Sequence, residues 1–443
     1  MNRTIRTAAI MVMAIVALIA MSATASAEPS RTTACTNCHS GVSLPVTTTL
    51  VNIVGTNATY SFSSPGADAI AVFSPTAKIA AIEASSGQFT VTVGQTYTVY
   101  SVGGPGRNDG VGSTTVSPAP LPDPVPTVTV EIVAGATRYH TAVTASARAF
   151  PSGADCVVIA TGANWPDALG GGALASAVAG PILLTETGRL PDPVAAEIAR
   201  LGATRAYVLG GKGAVDDAVF DALEDLLGAG NVTRIGGADR FETANLVSVA
   251  AVNEMKAGAG FDGTAFVATG ANFPDALAAA PLSVAKGWPL FLAGPNGLSA
   301  ATTSAMAACG ITDVIVLGGT GVVSGTVESG LKTTYGNGNV TRLYGASRYH
   351  TAAAVAAYGC NAAGLSWDGL AIATGTDFPD ALAGGVLQGV RGSVMLLTDR
   401  TLLSAPTASA LGGNKSSIEH VTFLGGTGAV SQSVRDAVAG TLQ

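Results

Sequence analysis

Three stretches of this chain repeat one another at intervals of just over 100 residues, and no other feature limits its possible folds so strongly. The first signature, Gly135-Ala136-Thr137-Arg138-Tyr139-His140-Thr141-Ala142, returns as Gly237-Ala238-Asp239-Arg240-Phe241-Glu242-Thr243-Ala244 and again as Gly345-Ala346-Ser347-Arg348-Tyr349-His350-Thr351-Ala352. A second, Ala160-Thr161-Gly162-Ala163-Asn164-Trp165-Pro166-Asp167-Ala168-Leu169, is matched at 268–277 and 373–382. A third, Val208-Leu209-Gly210-Gly211-Lys212-Gly213, is matched at 316–321 and 423–428. The arginines stand 102 and 108 residues apart, and the aspartates Asp167, Asp275 and Asp380 stand 108 and 105 apart. Spacing that holds over such lengths marks a triplicated folding unit. Within each unit, short apolar runs (157–160, 182–184 and 206–209 in the first) alternate with helical patterns such as 214–227. That alternation predicts an α/β fold: a parallel sheet with helices on its faces.

The rest of the chain divides around this region. Residues 117–127 carry proline at every second position from Pro118 to Pro126. Such a run forms neither helix nor central strand; it predicts an extended, semi-rigid spacer of roughly 30 Å. Before it, residues 45–116 are rich in Thr, Val, Ser and Gly, with β-type runs at 47–54, 89–93 and 96–102 separated by turn residues. This pattern predicts a small β-sandwich. At the start, Arg3 and Arg6, an apolar stretch over 8–20 and Ala25-Ser26-Ala27 have the order of a secretory signal peptide. The expected divisions are 1–27 (signal), 28–116 (N-terminal motif and β-sandwich), 117–127 (linker), and repeats at 128–233, 234–341 and 342–443.

Composition narrows the function. With 48% hydrophobic and 12% charged residues the chain is not of the disordered class. Its formal charge of −7, becoming −9 once Arg3 and Arg6 leave with the signal, argues against a nucleic-acid binder, which needs a net basic face. After the signal, every apolar run is far shorter than the roughly 20 residues that span a bilayer, so an exported, soluble protein is expected. Cys35, Cys38, Cys156, Cys309 and Cys360 are too few, and odd in number, for a disulfide scaffold.

The repeated polar residues allow two readings each. Arg138, Arg240 and Arg348 open a helical pattern, and a guanidinium fork suits phosphate or carboxylate oxygens. They also suit a structural ion pair with Asp167, Asp275 and Asp380 inside each unit. Asn164 and Asn272, with Asp377 in the third unit, are expected as helix N-caps ahead of a proline in the first turn, or as ligand contacts. The Leu-Gly-Gly-x-Gly loop lies between strand and helix, where amides hold anions, but it lacks the remaining elements of a nucleotide fingerprint. No catalytic set recurs: Glu242 stands where the other units have His140 and His350. Three similar units without shared acid–base groups predict a non-enzymatic module whose weak sites sum by avidity.

On these motifs, residues 127–443 resemble the bacterial cell wall binding repeat 2 family. The resemblance implies three Rossmann-like units in a pseudo-threefold triangle. It also implies non-covalent attachment, at the cell surface, to an anionic secondary polymer of a Gram-positive-type wall. The family's Ile-Leu-Leu motif is present as Ile182-Leu183-Leu184 and becomes Leu290-Phe291-Leu292 and Met395-Leu396-Leu397. By resemblance these triplets, with the three arginines, are polymer-binding candidates.

Near the start of the mature chain stands Cys35-Thr36-Asn37-Cys38-His39. Cys-x-x-Cys-His is the attachment pattern of c-type haem, in which two thiols bind the porphyrin and the histidine ligates the iron. A Cys35–Cys38 disulfide, and metal or redox use of the two thiols, are the alternatives. Between Glu28 and the linker there is no methionine and no further histidine, so a sixth ligand comes from Lys78, the new amino terminus, His140, His350, His420, another molecule, or nowhere. The combined expectation is a wall-attached protein presenting one covalent haem c to a redox partner at the surface, with a structural or adhesive wall protein as the alternative.

Overall fold

The computed structural model of the chain describes residues 44–443 except 55, 66, 68, 76, 83, 103–110, 118–127 and 259. The signal segment, the Cys35–His39 motif and all but the first residue of the proline run lie outside the described residues. The chain forms two units, Met1–Pro124 and Val125–Gln443.

In the first unit, β1 (Thr47–Val54), β2 (Asn57–Ser63), β3 (Ala69–Phe73), β4 (Lys78–Ile82), β5 (Ser86–Thr92), β6 (Tyr97–Val102) and β7 (Val111–Val116) form two antiparallel sheets. Their orders are β1-β2-β5 and β4-β3-β6-β7. Alternate residues point inward, as a half-buried strand demands. Ala58, Tyr60, Phe62, Phe89 and Val91 from one sheet meet Ile70, Val72, Tyr97, Val99 and Val116 from the other in a single core. The rings of Tyr60 and Phe89 stack 5.7 Å apart. Two sheets closing on one core make the expected sandwich.

The second unit contains β8 (Thr129–Val133), β9 (Cys156–Thr161), β10 (Ile182–Thr185), β11 (Arg205–Leu209), β12 (Val232–Ile235), β13 (Thr264–Thr269), β14 (Leu290–Ala293), β15 (Asp313–Leu317), β16 (Val340–Leu343), β17 (Ser366–Thr374), β18 (Ser393–Thr398) and β19 (His420–Leu424). They build three four-stranded sheets of orders β10-β9-β11-β12, β14-β13-β15-β16 and β18-β17-β19-β8. Every pairing in them is parallel. Parallel sheets are covered on both faces, which is why their strands read as unbroken apolar runs. All six residues of β9 are buried. Val158 and Ala160 face the large shared core, and Val157 and Ile159 face a second layer with Val194, Ile198 and Leu223. The helix expected over 214–227 spans Asp217–Leu227, because Asp216 is its N-cap and accepts the Val219 amide.

The fourth strand of each sheet comes from the repeat that follows. β12, which leads into the second Gly-Ala-x-Arg signature, completes the first sheet; β16, which leads into the third, completes the second. The cycle closes because β8, at the start of the first repeat, pairs with β19 of the third. The Thr129 amide donates to the Glu419 carbonyl at 2.8 Å, and its hydroxyl lies 2.5 Å from His420 Nδ1. Glu131 on β8 lies 2.8 Å from Arg391 and 3.2 Å from Arg148. Burial works against its charge, yet Arg391 and Arg148 hold the carboxyl below its ordinary pKa. Between repeats, helices Gly171–Ala177, Ala280–Lys286 and Pro379–Val390 pack together closely. A Cβ on Gly389 would stand 2.4 Å from Val284 Cβ, so only glycine fits there.

Losing β8 should therefore damage the whole second unit rather than one end of it. A chain beginning at residue 134 should unfold at least roughly 5 °C below one beginning at 125. Thermal melting followed by circular dichroism checks this; equal midpoints would mean that the closing strand contributes nothing.

Candidate functional site at the repeat junctions

The Gly-Ala-x-Arg signature is a helix start in all three repeats. Helices Arg138–Ala149, Arg240–Ala257 and Arg348–Ala362 begin at the arginine, with Thr137, Asp239 and Ser347 at the N-cap. Asp239 Oδ1 accepts the amides of Phe241 and Glu242 at 2.9 Å. The variable position two residues after the arginine serves the same local end. His140 Nδ1 lies 2.9 Å from Thr137 Oγ1, His350 Nδ1 lies 2.9 Å from Ser347 Oγ, and Glu242 accepts the Ala238 amide at 2.7 Å.

The arginines do not pair with the aspartate of their own repeat. Each instead donates from Nη1 to the glycine carbonyl that ends its Ala-Thr-Gly strand: Arg138 to Gly162 at 2.5 Å, Arg240 to Gly270 at 2.8 Å and Arg348 to Gly375 at 2.6 Å. The aspartates look across the junction. Asp167 takes a hydrogen bond from Thr243 and feels Arg240, Asp275 from Thr351 with Arg348, and Asp380 from Thr141 with Arg138. Two of those threonine hydroxyls also accept an amide of their own signature, Gly135 at 3.1 Å and Gly237 at 3.0 Å. This corrects the expected ion pair within a unit. The aspartates sit where the third signature leaves no room for a side chain. Gly210 has φ +97°, and a Cβ there would lie 2.6 Å from Asp167 Oδ2. Burial raises the pKa of all three carboxyls against the pull of threonine and arginine, and Asp377 adds repulsion at Asp380.

The Asn-x-Pro-Asp segments converge through their aromatic residues. Trp165 and Phe273 have ring centroids 6.1 Å apart, and Phe273 and Phe378 6.2 Å apart. Arg240 lies 4.9 Å over the Trp165 ring and Arg138 5.9 Å over Phe378, a cation–π arrangement. Arg138 also lies 3.6 Å from Asp377. Asn164, Asn272 and Asp377 are exposed around this cluster. They are not helix caps: each accepts only the amide of the next residue, at 2.9 Å. The helices begin at Pro274 and Pro379 with Phe273 and Phe378 in the cap position, and in the first repeat not until Gly171. The proline in the first turn is as expected for repeats two and three. The aromatic member had a visible signal in the sequence, since it recurs between Asn or Asp and Pro in every repeat.

The Ile-Leu-Leu triplet and its counterparts lie elsewhere. Ile182, Leu183 and Leu184, Leu290, Phe291 and Leu292, and Met395, Leu396 and Leu397 form strands β10, β14 and β18 and are at most 3% exposed. Their side chains have no surface at which to meet a polymer; they build the core beneath the junctions. A second set of arginines, not apparent from the motifs, holds the glycine loop. Arg234, Arg342 and Arg435 donate to the carbonyls of Gly210, Gly318 and Gly425 at 3.2, 2.6 and 3.0 Å. The first two come from β12 and β16, but the third comes from the last helix, because Ile132 occupies the matching place on β8. Burial lowers the pKa of Arg435, which is stacked 5.2 Å over Phe423.

At the junction of the third repeat with the first lies a cleft of about 360 Å³. It is lined by residues 135–138 and Thr141 of the first repeat and by Thr374, Asp377, Pro379, Asp380, Arg400, Gly426, Gly428 and Ala429 of the third. Cys156, Cys309 and Cys360 are free, and burial pushes each thiol up to about 11, which disfavours the thiolate. Among the described residues no group of three or more His, Cys, Asp or Glu could hold a metal ion, and no helix is long and apolar enough to cross a membrane.

Comparison with known proteins places this architecture. The model of Cell wall binding domain 2 (CWB2) matches residues 132–220, 234–328 and 342–435, more than half of the chain, so the chain belongs to that family and carries three of its repeats. It is 28% identical over 305 residues to the N-acetylmuramoyl-L-alanine amidase LytC of Bacillus subtilis (strain 168), and 28% identical over 306 residues to the Amidase enhancer of the same organism. Each match covers 69% of this chain but only 57% and 39% of the relatives, so the chain spans well under two thirds of their length. Among solved structures, Cwp6 from Clostridium difficile superposes with a TM-score of 0.64 at 21% identity, covering 90% of this chain and 68% of that one. Cwp8 from the same organism superposes with a TM-score of 0.62 at 23% identity, covering 79% and 59%. The likeness shows a shared fold.

The raised aspartates set a pH dependence. A carboxyl whose folded pKa exceeds its unfolded value stabilises the fold below the ordinary pKa, near 3.9, and loses that contribution as pH rises through the folded value. Wild-type stability should therefore fall relative to Asp380→Asn as pH rises from about 4, because the amide keeps the acceptor for Thr141 without the charge. Denaturant unfolding of both proteins from pH 4 to 7 measures the difference; a difference of the opposite sign would contradict the burial argument.

Proposed function

We propose that the second unit is a non-catalytic anchor, a pseudo-threefold triangle of Rossmann-like repeats that binds an anionic wall polymer at its junctions. The observation that carries this reading is the repeated arginine. Arg138, Arg240 and Arg348 are each held by the equivalent glycine carbonyl of their own repeat at equivalent helix starts, and two of them lie over the converging aromatic rings. Local concentration of guanidinium groups reconciles an acidic chain, −7 overall, with a polyanion. Exposed Asn164, Asn272 and Asp377 around the rings supply hydrogen-bonding groups for polymer hydroxyls. The buried Ile-Leu-Leu strands act by positioning the junctions. Family membership and the similarity to wall amidase and enhancer proteins support wall binding.

In this reading the protein is exported, and its first unit is the passenger. Cys35, Cys38 and His39 are proposed to hold one haem c covalently, the thiols fixing the porphyrin and the histidine approaching the iron. When bound, such a group supplies one-electron chemistry, suiting electron transfer with a surface redox partner or redox sensing. The support is the motif itself together with the signal sequence. Of the histidines offered for a sixth position, His140, His350 and His420 are each engaged with a hydroxyl of the second unit.

Residues 125–443 should sediment with polymer-bearing walls and remain in solution once the anionic polymer is extracted. Charge reversal at all three arginines should release more protein than any single reversal, provided circular dichroism shows the fold intact. Equal retention by stripped walls would refute polymer binding. The intact mass of the secreted protein, expressed with haem-c maturation machinery, should exceed the apoprotein by roughly 616 Da. A loss of two protons instead would mean a Cys35–Cys38 disulfide and a structural or adhesive wall protein.

A further inference from the structure

The three junctions are not equivalent, and the difference is chemical. In the sheet of order β18-β17-β19-β8 the chain passes from β17 to β18 on one side and then crosses to β19 on the other. The carboxyl ends of β17 and β19 therefore border a topological switch point, the crevice where open α/β sheets take small ligands. The 360 Å³ cleft lies there, with residues following β17, β19 and β8 in its wall. Its volume is near the lower end of the range for small-ligand sites, enough to seat one sugar-sized unit.

The lining is mixed in a definite way. Arg138 and Arg400 both border the cleft, and Arg400 is exposed, folded onto the Gly428 carbonyl through Nε at 2.8 Å. The amides of Gly426 and Gly428 have no hydrogen-bond partner among the described residues. Beside these donors stand two carboxyls, Asp377 and Asp380. A bare anion would meet repulsion from the carboxyls, and a neutral sugar would make no use of the positive charge that Arg138 and Arg400 keep beside their carbonyl partners. A polyhydroxy ring carrying one anionic group matches both, its anionic oxygens taken by guanidinium and amide donors and its hydroxyls donated to carboxylate. Arg400 is peculiar to the third repeat. Thr185 and Thr398 each donate to the carbonyl four residues on, which aligns Arg400 with Thr187; in the second repeat the place after β14 falls to Pro295.

We propose that the cleft between β8 and the ends of β17 and β19 is a single-copy site for one charged saccharide unit, a sugar phosphate or sugar acid. This rests on the polymer-binding reading and names the group that this one junction selects.

Calorimetric titration of the full chain with glucose 6-phosphate, glucuronate, glucose and inorganic phosphate tests it. One site per chain is expected for glucose 6-phosphate or glucuronate, with glucose and inorganic phosphate at least tenfold weaker. Arg400→Ala should lose tenfold or more of that affinity at an unchanged melting temperature, and Thr187→Ala should bind as the parent does. If the alanine variant melts lower, Arg400→Gln carries the same comparison, since it keeps a donor for the Gly428 carbonyl. No binding by any saccharide, three equal sites, or full affinity in the arginine variant would overturn the proposal. Wall sedimentation of the parent separates the two ideas. Retention on walls without saccharide binding overturns the cleft and leaves the anchor; saccharide binding without retention upholds the cleft and overturns the anchor.

Discussion

Each sheet of the repeat region is unfinished until the following repeat donates its last strand, and this sharing governs the rest of the structure. β12, β16 and β8 each bring a helix start with them, so the donated strand and the junction arginine arrive as one piece. Where the backbone is shared, the side chains follow. The aspartate of one repeat meets the threonine of the next at all three junctions, including the one between the end of the chain and its beginning. A single repeat cut from this context would lack a strand, a hydrogen-bond donor for its half-buried carboxyl, and part of its core.

The α/β character of the repeats was legible because parallel strands buried on both faces leave continuous apolar runs, as in Cys156–Thr161. The sandwich was legible because alternation survives in Asn57–Ser63. Strand sharing was not legible. Val232–Ile235 and Val340–Leu343 straddle the divisions drawn from the motifs, and nothing local to either strand tells which sheet it joins. The site was legible in part. The recurrence of arginine and aspartate marked the right residues, but spacing along the chain suggested that they pair within a unit. Spatially each aspartate is nearer the next repeat, and the arginine's partner is a main-chain oxygen that sequence motifs do not display. Asn164 and its counterparts read as caps by residue type, yet the helix starts one residue later in two repeats and still later in the first.

The loop-holding arginines show how a repeat keeps a function while changing its source. In two repeats the guanidinium that reaches the glycine carbonyl comes from the donated strand, accompanied by Phe220 or Glu328 on the covering helix. In the third the positions are exchanged: the helix supplies Arg435 and the strand supplies Ile132. The charge is conserved in space and not in the motif, which is why comparing the three copies by sequence does not reveal it. The same divergence left Arg400 beside one cleft only.

The closing strand has a mechanical consequence. β8 is the first element after the proline run, so any tension passed along the chain from the first unit enters the repeat region at Thr129. It acts there on a seam only five residues long, held by β19, the Glu419 carbonyl and the Glu131–Arg391 pair. Whatever the first unit experiences, a pull through the proline run loads this seam before any other pairing of the repeat region, at the joint that completes the cycle.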